Sequence, residues 1–217
     1  MFFRGCGFLL CAAMAPAQWF AGAGGGISTL SADGQTRIDG AVTAVSLYKP
    51  ENGPSVHLFG GRHLRDYFSL QASYTWNRNA IGITGTRVAS GVEATFQQEF
   101  RVRMHTAAVE GLIYFRPRAS RLRPFLSGGA GVARTAAEGG KVTVSKGAVQ
   151  LPPATFASAN AMWRTTVGID AAMGRGYAVR YTFWENISAN PISKQLVPPG
   201  GRGLANFQSI FSIVKTF

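Results

Sequence analysis

Asp170 and Arg180 stand at equal distances on either side of Arg175, in the tripeptide Gly174-Arg175-Gly176. If that tripeptide is a tight turn, residues equidistant from Arg175 face each other across a hairpin. Asp170 then lies opposite Arg180, and Arg164 opposite Asn186, all on one polar register. Glu110 and Arg62, on other segments, are expected to bring further charge to the same interior. Buried charges persist mainly when paired, so this set reads as a structural ion-pair network, with a gated ion or proton path as the alternative. The candidate bases are His57, His63 and His105, and the nearby hydroxyls are Ser55, Ser73 and Thr106. Nothing in the spacing joins a base, a hydroxyl and an acid. No cluster of Cys, His, Asp or Glu has metal-ligand spacing, so neither a metal nor a cofactor is expected. The glycines at 22, 24, 25 and 26 and at 128, 129 and 131 precede no helix, so they read as close packing rather than as a phosphate cradle.

The elements that would position these residues are strands. Phe68 to Asn77 alternates strictly, with Phe68, Leu70, Ala72, Tyr74 and Trp76 on one face and small or polar residues on the other. The same period puts Trp163, Thr165, Val167 and Ile169 against Arg164, Thr166, Gly168 and Asp170, and Tyr177, Val179, Tyr181 and Phe183 against Ala178, Arg180, Thr182 and Trp184. Eight strands are expected, at about 18–30, 55–64, 67–80, 98–116, 124–135, 160–173, 177–188 and 204–217. The links at 65–66, 117–123 and 174–176 are short, whereas 31–54, 81–97, 136–159 and 189–203 read as long loops. In 98–116, Arg101, Arg103 and His105 alternate with Val102 and Met104, and a bulge near Ala107 is expected before Val109, Gly111 and Ile113 turn outward.

Composition agrees with a β protein. The 217 residues include 27 Gly and 12% aromatics, with only 15% charged. Hydrophobic content of 46% argues against disorder, and the formal charge of +12 does not by itself choose a partner. Arg4, the apolar run Phe8 to Met14 and the small residues Ala15 and Ala17 read as a cleaved signal peptide over 1–17. Cleavage would remove Cys6 and Cys11 and leave one domain over 18–217. Cys11 could instead anchor a lipid, but bulky Leu10 precedes it. After residue 18 no apolar stretch approaches the roughly 20 residues of a membrane-crossing helix, so a membrane form must be a barrel.

Length and loop asymmetry favour lipid. Several strands reach the roughly 9–11 residues needed to cross a bilayer at a tilt, and short turns at one end with long loops at the other suit an outer-membrane barrel. Phe207, Phe211, Ile213 and Phe217 share one face of a last strand ending in an aromatic residue. That strand resembles the carboxy-terminal signal which the barrel-assembly machinery reads in outer-membrane proteins, carried here by Phe217, Ile213 and Phe211. Lys215 departs from the pattern, at a place where a lysine can snorkel. The whole strand plan is similar to small eight-stranded barrels of the OmpA and OmpX type, the barrel alone with no peptidoglycan-binding domain expected.

The resemblance implies an all-β fold: a closed, antiparallel, eight-stranded, up-and-down transmembrane barrel with short periplasmic turns and longer extracellular loops, in the bacterial outer membrane. Phe68, Leu70, Tyr74, Tyr181 and Phe183 would then face lipid. An eight-stranded interior has room for side chains and little more, so the lumen is expected to be plugged. The expected function is non-enzymatic, structural or adhesive through the loops; the alternatives are a narrow channel and a lipid-modifying enzyme. Lipid A deacylase barrels carry His-x-Ser on one strand, and His57, His63 and His105 lack that serine. A soluble lipocalin-like barrel would require the reverse polarity.

Arg116, Arg118, Arg121 and Arg123 crowd one short connection, where no aromatic platform for nucleic acid is interleaved. They read as a solvated turn meeting anionic headgroups or an acidic periplasmic partner. Lys49, Arg87, Lys141, Lys146, Lys194 and Arg202 belong to the long loops, where lipopolysaccharide phosphates are the expected contact.

Overall fold

The computed structural model describes residues 18–31, 36–40, 42–147, 151–196, 198–200 and 203–217; the expected leader and Arg202 lie outside them. Gln18–Leu30 forms β1, which rises from the short-turn end of the molecule. A short strand, β2 (Thr36–Ile38), pairs with β3 (Val42–Pro50), and β3 is followed after two residues by β4 (Gly53–His63). Then come β5 (Phe68–Ala89), β6 (Val92–Tyr114), β7 (Leu122–Lys146), β8 (Thr155–Gly174), β9 (Tyr177–Ala189) and β10 (Gly203–Thr216).

All pairings are antiparallel, and the sheet closes on itself. β1 pairs with β10 from Phe20–Thr216 to Leu30–Asn206, and β5 pairs with β6 from Phe68–Ile113 to Ala89–Val92. β3 and β4 both pair with β5, β3 along residues 81–89 and β4 along 69–77, so together they make one interrupted stave. The break is at Glu51 and Asn52, between Pro50 and Pro54, where the Asn79 side chain donates to the Glu51 carbonyl at 3.0 Å. Proline cannot donate to a ladder, so a break is tolerated there. The ring therefore has eight staves. Among the described residues no helix is long and apolar enough to cross a membrane.

The strands run further than the sequence pattern indicates. Residues 81–97, expected as a loop, continue β5 and β6 to a two-residue turn at Ser90-Gly91, both at positive φ (50° and 77°). That geometry matches the right-handed twist of the flanking strands. Much of 31–54 is β2 and β3, and β7 and β8 extend into the segment expected as a loop over 136–159. In 189–203 a 3-10 turn at Ser193–Gln195 carries Ile192 and Leu196 into the interior, where both are buried. Asn190 Oδ1 accepts from the backbone N–H of Ile192 and of Ser193 at 3.0 Å each and fixes that turn.

No bulge interrupts β6 at Ala107. Its alternation is unbroken from Ala94 to Tyr114, with even-numbered residues inward, and its register shifts fall higher, between Thr95 and Phe96 and between Gln98 and Phe100. Val102 and Met104 therefore point inward and Arg101, Arg103 and His105 outward. The apparent reversal of polarity is a change along one continuous outer face, apolar lower down at Val109 and Ile113 and charged above at Arg101 and Arg103.

Three glycines make room for inner rings. A side chain on Gly22 would collide with Phe59, on Gly61 with Phe20, and on Gly168 with Phe125, whereas Gly111 faces open space. Gly168→Val is therefore expected to abolish the folded species that resists dissociation in unheated gel samples, and Gly111→Val to retain it.

Candidate functional site

The inward face is layered from the short-turn end upward. The first layer centres on Arg180, whose Nε donates to Asp170 Oδ1 at 2.6 Å and whose Nη2 donates to Asp170 Oδ2 at 2.8 Å. Its Nη1 donates to Gln71 Oε1 at 2.7 Å, and Nη2 also to the Tyr114 hydroxyl at 2.9 Å. Tyr114 in turn donates to Asp170 at 3.2 Å. The guanidinium is walled by aromatic rings, with Phe59 and Phe125 at 4.9 Å and Phe20 at 5.5 Å. A bidentate fork satisfied on most of its donors is what makes burial of such a charge tolerable.

The second layer centres on Arg164. Nη1 donates to Glu110 Oε1 and to Ser73 Oγ, each at 2.9 Å, and Nε donates to Asn186 Oδ1 at 2.7 Å. Glu110 also accepts from Ser73 at 2.9 Å and from Ser127 at 3.0 Å. The Trp184 ring lies 4.7 Å from the Arg164 guanidinium. Between the layers, the buried His57 stacks on Phe59 and meets Trp184 edge-on, both at 4.7 Å. Above the second layer, Ser28, Ser55, Asn77, Asn79, Asn206 and Gln208 form a web of neutral hydrogen bonds, including Ser55 to Gln208 at 2.6 Å and Ser28 to Asn206 at 2.8 Å. Above that, Ile81, Ile83, Phe96, Phe100, Val102 and Met104 join Ile192 and Leu196 in an apolar cluster.

Asp170 does face Arg180, Arg164 does face Asn186, and Glu110 joins Arg164. Arg62 does not enter the lumen. On β4 the inward residues are Gly61 and His63, so Arg62 points outward and lies 5.5 Å from the Trp19 ring. Exposed at the barrel's rim, the Arg62 guanidinium needs no desolvation. Phe68, Leu70, Tyr74, Tyr181 and Phe183 point outward, as do Phe211, Ile213 and Phe217. Lys215 donates to the Arg175 carbonyl at 2.7 Å and lies 4.2 Å from the Tyr177 ring, which occupies its charge at the rim.

Two groups escape the sequence reading. Gln71 and Tyr114 complete the Arg180 layer; alternation puts both on the inward register of β5 and lower β6, but it does not say which inward residues meet across the barrel. His63 pairs with Ser69, Nδ1 to Oγ at 2.6 Å, and not with any of the hydroxyls expected. Both are buried, the imidazole lies against Phe20 at 4.7 Å, and no carboxylate hydrogen-bonds to this ring among the described residues. His105, outward, meets the Tyr74 hydroxyl at 2.6 Å. Among the described residues no group of three or more His, Cys, Asp or Glu could hold a metal ion.

Residues 6–192 match the family described as the outer membrane protein β-barrel domain. The chain belongs to that family. The barrel is similar to Neisserial surface protein A, at 11% identity, covering 94% of this chain and 100% of that one with a TM-score of 0.56. It is also similar to OprG from Pseudomonas aeruginosa, at 10% identity, covering 92% of this chain and 96% of that one with a TM-score of 0.51. At these identities the likeness concerns the fold alone, and both are outer-membrane barrels of Gram-negative bacteria. No curated protein sequence matches the chain significantly.

Within this family member the first layer offers a clean test, because removing one partner strands the other charge. Asp170→Ala is expected to cost about 3–5 kcal/mol in urea unfolding from detergent or lipid. Arg175→Ala, on the solvated turn, should change stability by less than about 0.5 kcal/mol. Combining Asp170→Ala with Arg180→Met should recover a substantial part of the loss, since no buried charge is then left unpaired.

Proposed function

We propose that the protein is a non-enzymatic barrel with a closed lumen, exported by the leader over 1–17, and that it acts at the cell surface as a structural and adhesive scaffold. The observation that carries this reading is the stack inside the ring: two arginine–carboxylate layers and an amide web beneath an apolar cluster. A solute moving through would have to break two desolvated ion pairs and then part the apolar side chains above them. Each step is uphill, and nothing along the way replaces the lost contacts. The long hairpins of β5–β6 and β7–β8 extend past this stack and are the parts offered to the outside.

The same reading gives the outer face a lipid partner. Arg78 of β5 stands directly opposite Arg103 of β6, and Arg134 of β7 opposite His105. Like charges directly opposed on neighbouring strands are unfavourable by themselves. Glu138 pairs with Arg103, leaving Arg78 and Arg134 for an external anion. Tyr74 and Trp76 lie below this row on β5, at the height where aromatic belts meet headgroups. Lipopolysaccharide phosphates fit that position. Insertion would use Phe217, Ile213 and Phe211 as the strand read by the assembly machinery, and no nucleic acid takes part.

Two measurements test these claims. In planar bilayers the purified barrel should give no discrete conductance steps; steps sensitive to Arg164→Ala or Arg180→Met would favour the narrow-channel reading instead. In the second, Arg78→Gln with Arg134→Gln should lower the lipopolysaccharide retained through purification at least severalfold while leaving the folded gel species intact. Unchanged retention would remove the outer-face partner.

A further inference from the structure

Beneath the Arg180 layer, at the short-turn end, lies a cavity of about 220 Å³. Its lid is the segment between β6 and β7. Arg118 reaches back across the mouth, donating from Nη1 to Gln18 Oε1 at 3.4 Å, with Nε 3.5 Å from Asp66 Oδ1. Arg123, an inward residue at the start of β7, lies 3.8 Å over the Tyr114 ring and donates from Nη2 to the Asp66 carbonyl at 2.9 Å. Four arginines, 118, 121, 123 and 180, line this space together with His63, and Asp170 is the one carboxylate among the lining residues.

The charge balance at this mouth is unfinished. Asp170 is taken up by Arg180 and Tyr114, and Asp66 lies beside Arg118 outside the lining. Arg118 Nε and Nη2 and Arg123 Nε are buried and have no hydrogen-bond partner among the described residues. Buried guanidinium donors without acceptors are unfavourable, and crowding cations makes them more so. A planar carboxylate offers only two oxygens, whereas the donors that lack a hydrogen bond belong to two separate forks. An oxyanion with acceptors in several directions can meet both.

We infer that this periplasmic mouth binds a tetrahedral phosphate group, clasped by Arg118 and Arg123 with Arg121 at the rim. The group can come from inorganic phosphate in the periplasm or from the headgroup of an inner-leaflet phospholipid, since the mouth opens at that level. The inference does not depend on the lumen being closed or on the outer-face partner. It gives the basic connection between β6 and β7 a task, and it ties Gln18 and Asp66 into a lid over the ligand.

The test uses the full barrel in dodecyl maltoside, which carries no phosphorus, at fixed ionic strength. Inorganic phosphate is titrated while its 31P linewidth and the thermal midpoint of the heat-resistant gel species are followed, with chloride as the reference anion. Phosphate is expected to broaden and to raise the midpoint in the wild type and in Arg116→Gln, an exposed neighbour on the same connection. Arg118→Gln should weaken the effect at least about tenfold, the loss of one charge-assisted contact, and Arg118→Gln with Arg123→Gln should abolish it. If the double variant fails to fold, Arg118→Gln alone carries the comparison, because its side chain spans the mouth rather than the packed layer above. Discs of phospholipid and of a phosphate-free glycolipid separate the sources. A phosphate effect confined to glycolipid discs means that a headgroup fills the site in phospholipid, and an effect in both means free phosphate. No phosphate effect beyond chloride in detergent, or an equal effect in Arg118→Gln, overturns the inference.

Discussion

Closure of the ring is the constraint from which the other features follow. A strand in hydrocarbon has no water for its backbone N–H and C=O groups, so the ladder between β1 and β10 must satisfy the groups that two open edges would strand. That ladder runs from Phe20–Thr216 to Leu30–Asn206, and at the bottom the Phe217 amide donates to the Trp19 carbonyl at 2.9 Å. With eight staves the enclosed space is narrow. Every inward side chain therefore has neighbours from across the lumen, and a charge placed there must find its partner within the ring. Arg180 reaches Asp170 on the adjacent β8, but it also reaches Gln71 on β5, across the barrel. Through the Arg180–Gln71 hydrogen bond and the Arg164–Glu110 ion pair, the two arginines thus tie together staves that share no backbone ladder.

Narrowness also explains the juxtaposition of glycine and phenylalanine. Phe20, Phe59 and Phe125 surround Arg180, and each ring occupies space above a glycine on a neighbouring strand. The rings do two things at once: they fill the lumen, and they present their faces to a cation removed from water. Attraction to a ring face grows as a cation is desolvated, so the exclusion of water that makes a buried arginine costly also strengthens its aromatic contacts.

Much of this arrangement was legible because alternation has a period of two and hairpins have a centre. Asp170 and Arg180 follow from the turn at Arg175, and Phe68 to Trp76 fixes both faces of β5. What alternation lacks is the identity of the solvent on each side. In the lower barrel the charged residues point inward and the outward face is apolar; higher up this inverts, with Val102 and Met104 inside and Arg101 and Arg103 outside. A reading that assumes one rule throughout must invent a bulge to restore it. Arg62 was misplaced for a related reason: near a rim, charge is stable on either face, so residue type no longer reports direction. The extent of the upper strands was obscured by glycine and threonine, although Ile81 and Ile83 keep the inward period and Ser90-Gly91 is a hairpin turn.

The inversion of polarity has a further consequence for how the molecule divides its work. The lower half gains its stability from lipid outside and paired charge inside, whereas the upper half is built as a soluble sheet is built, around the apolar cluster of Ile81, Phe100, Met104 and Leu204. Ile192 and Leu196 belong to that cluster although they come from the connection between β9 and β10, so this connection is part of the core rather than a free tip. A surface segment anchored in this way can tolerate change at its exposed positions without disturbing the ring below. The exposed positions of the upper strands and the lipid-facing positions of the lower ones therefore sit in different solvents, and change at one leaves the other largely untouched.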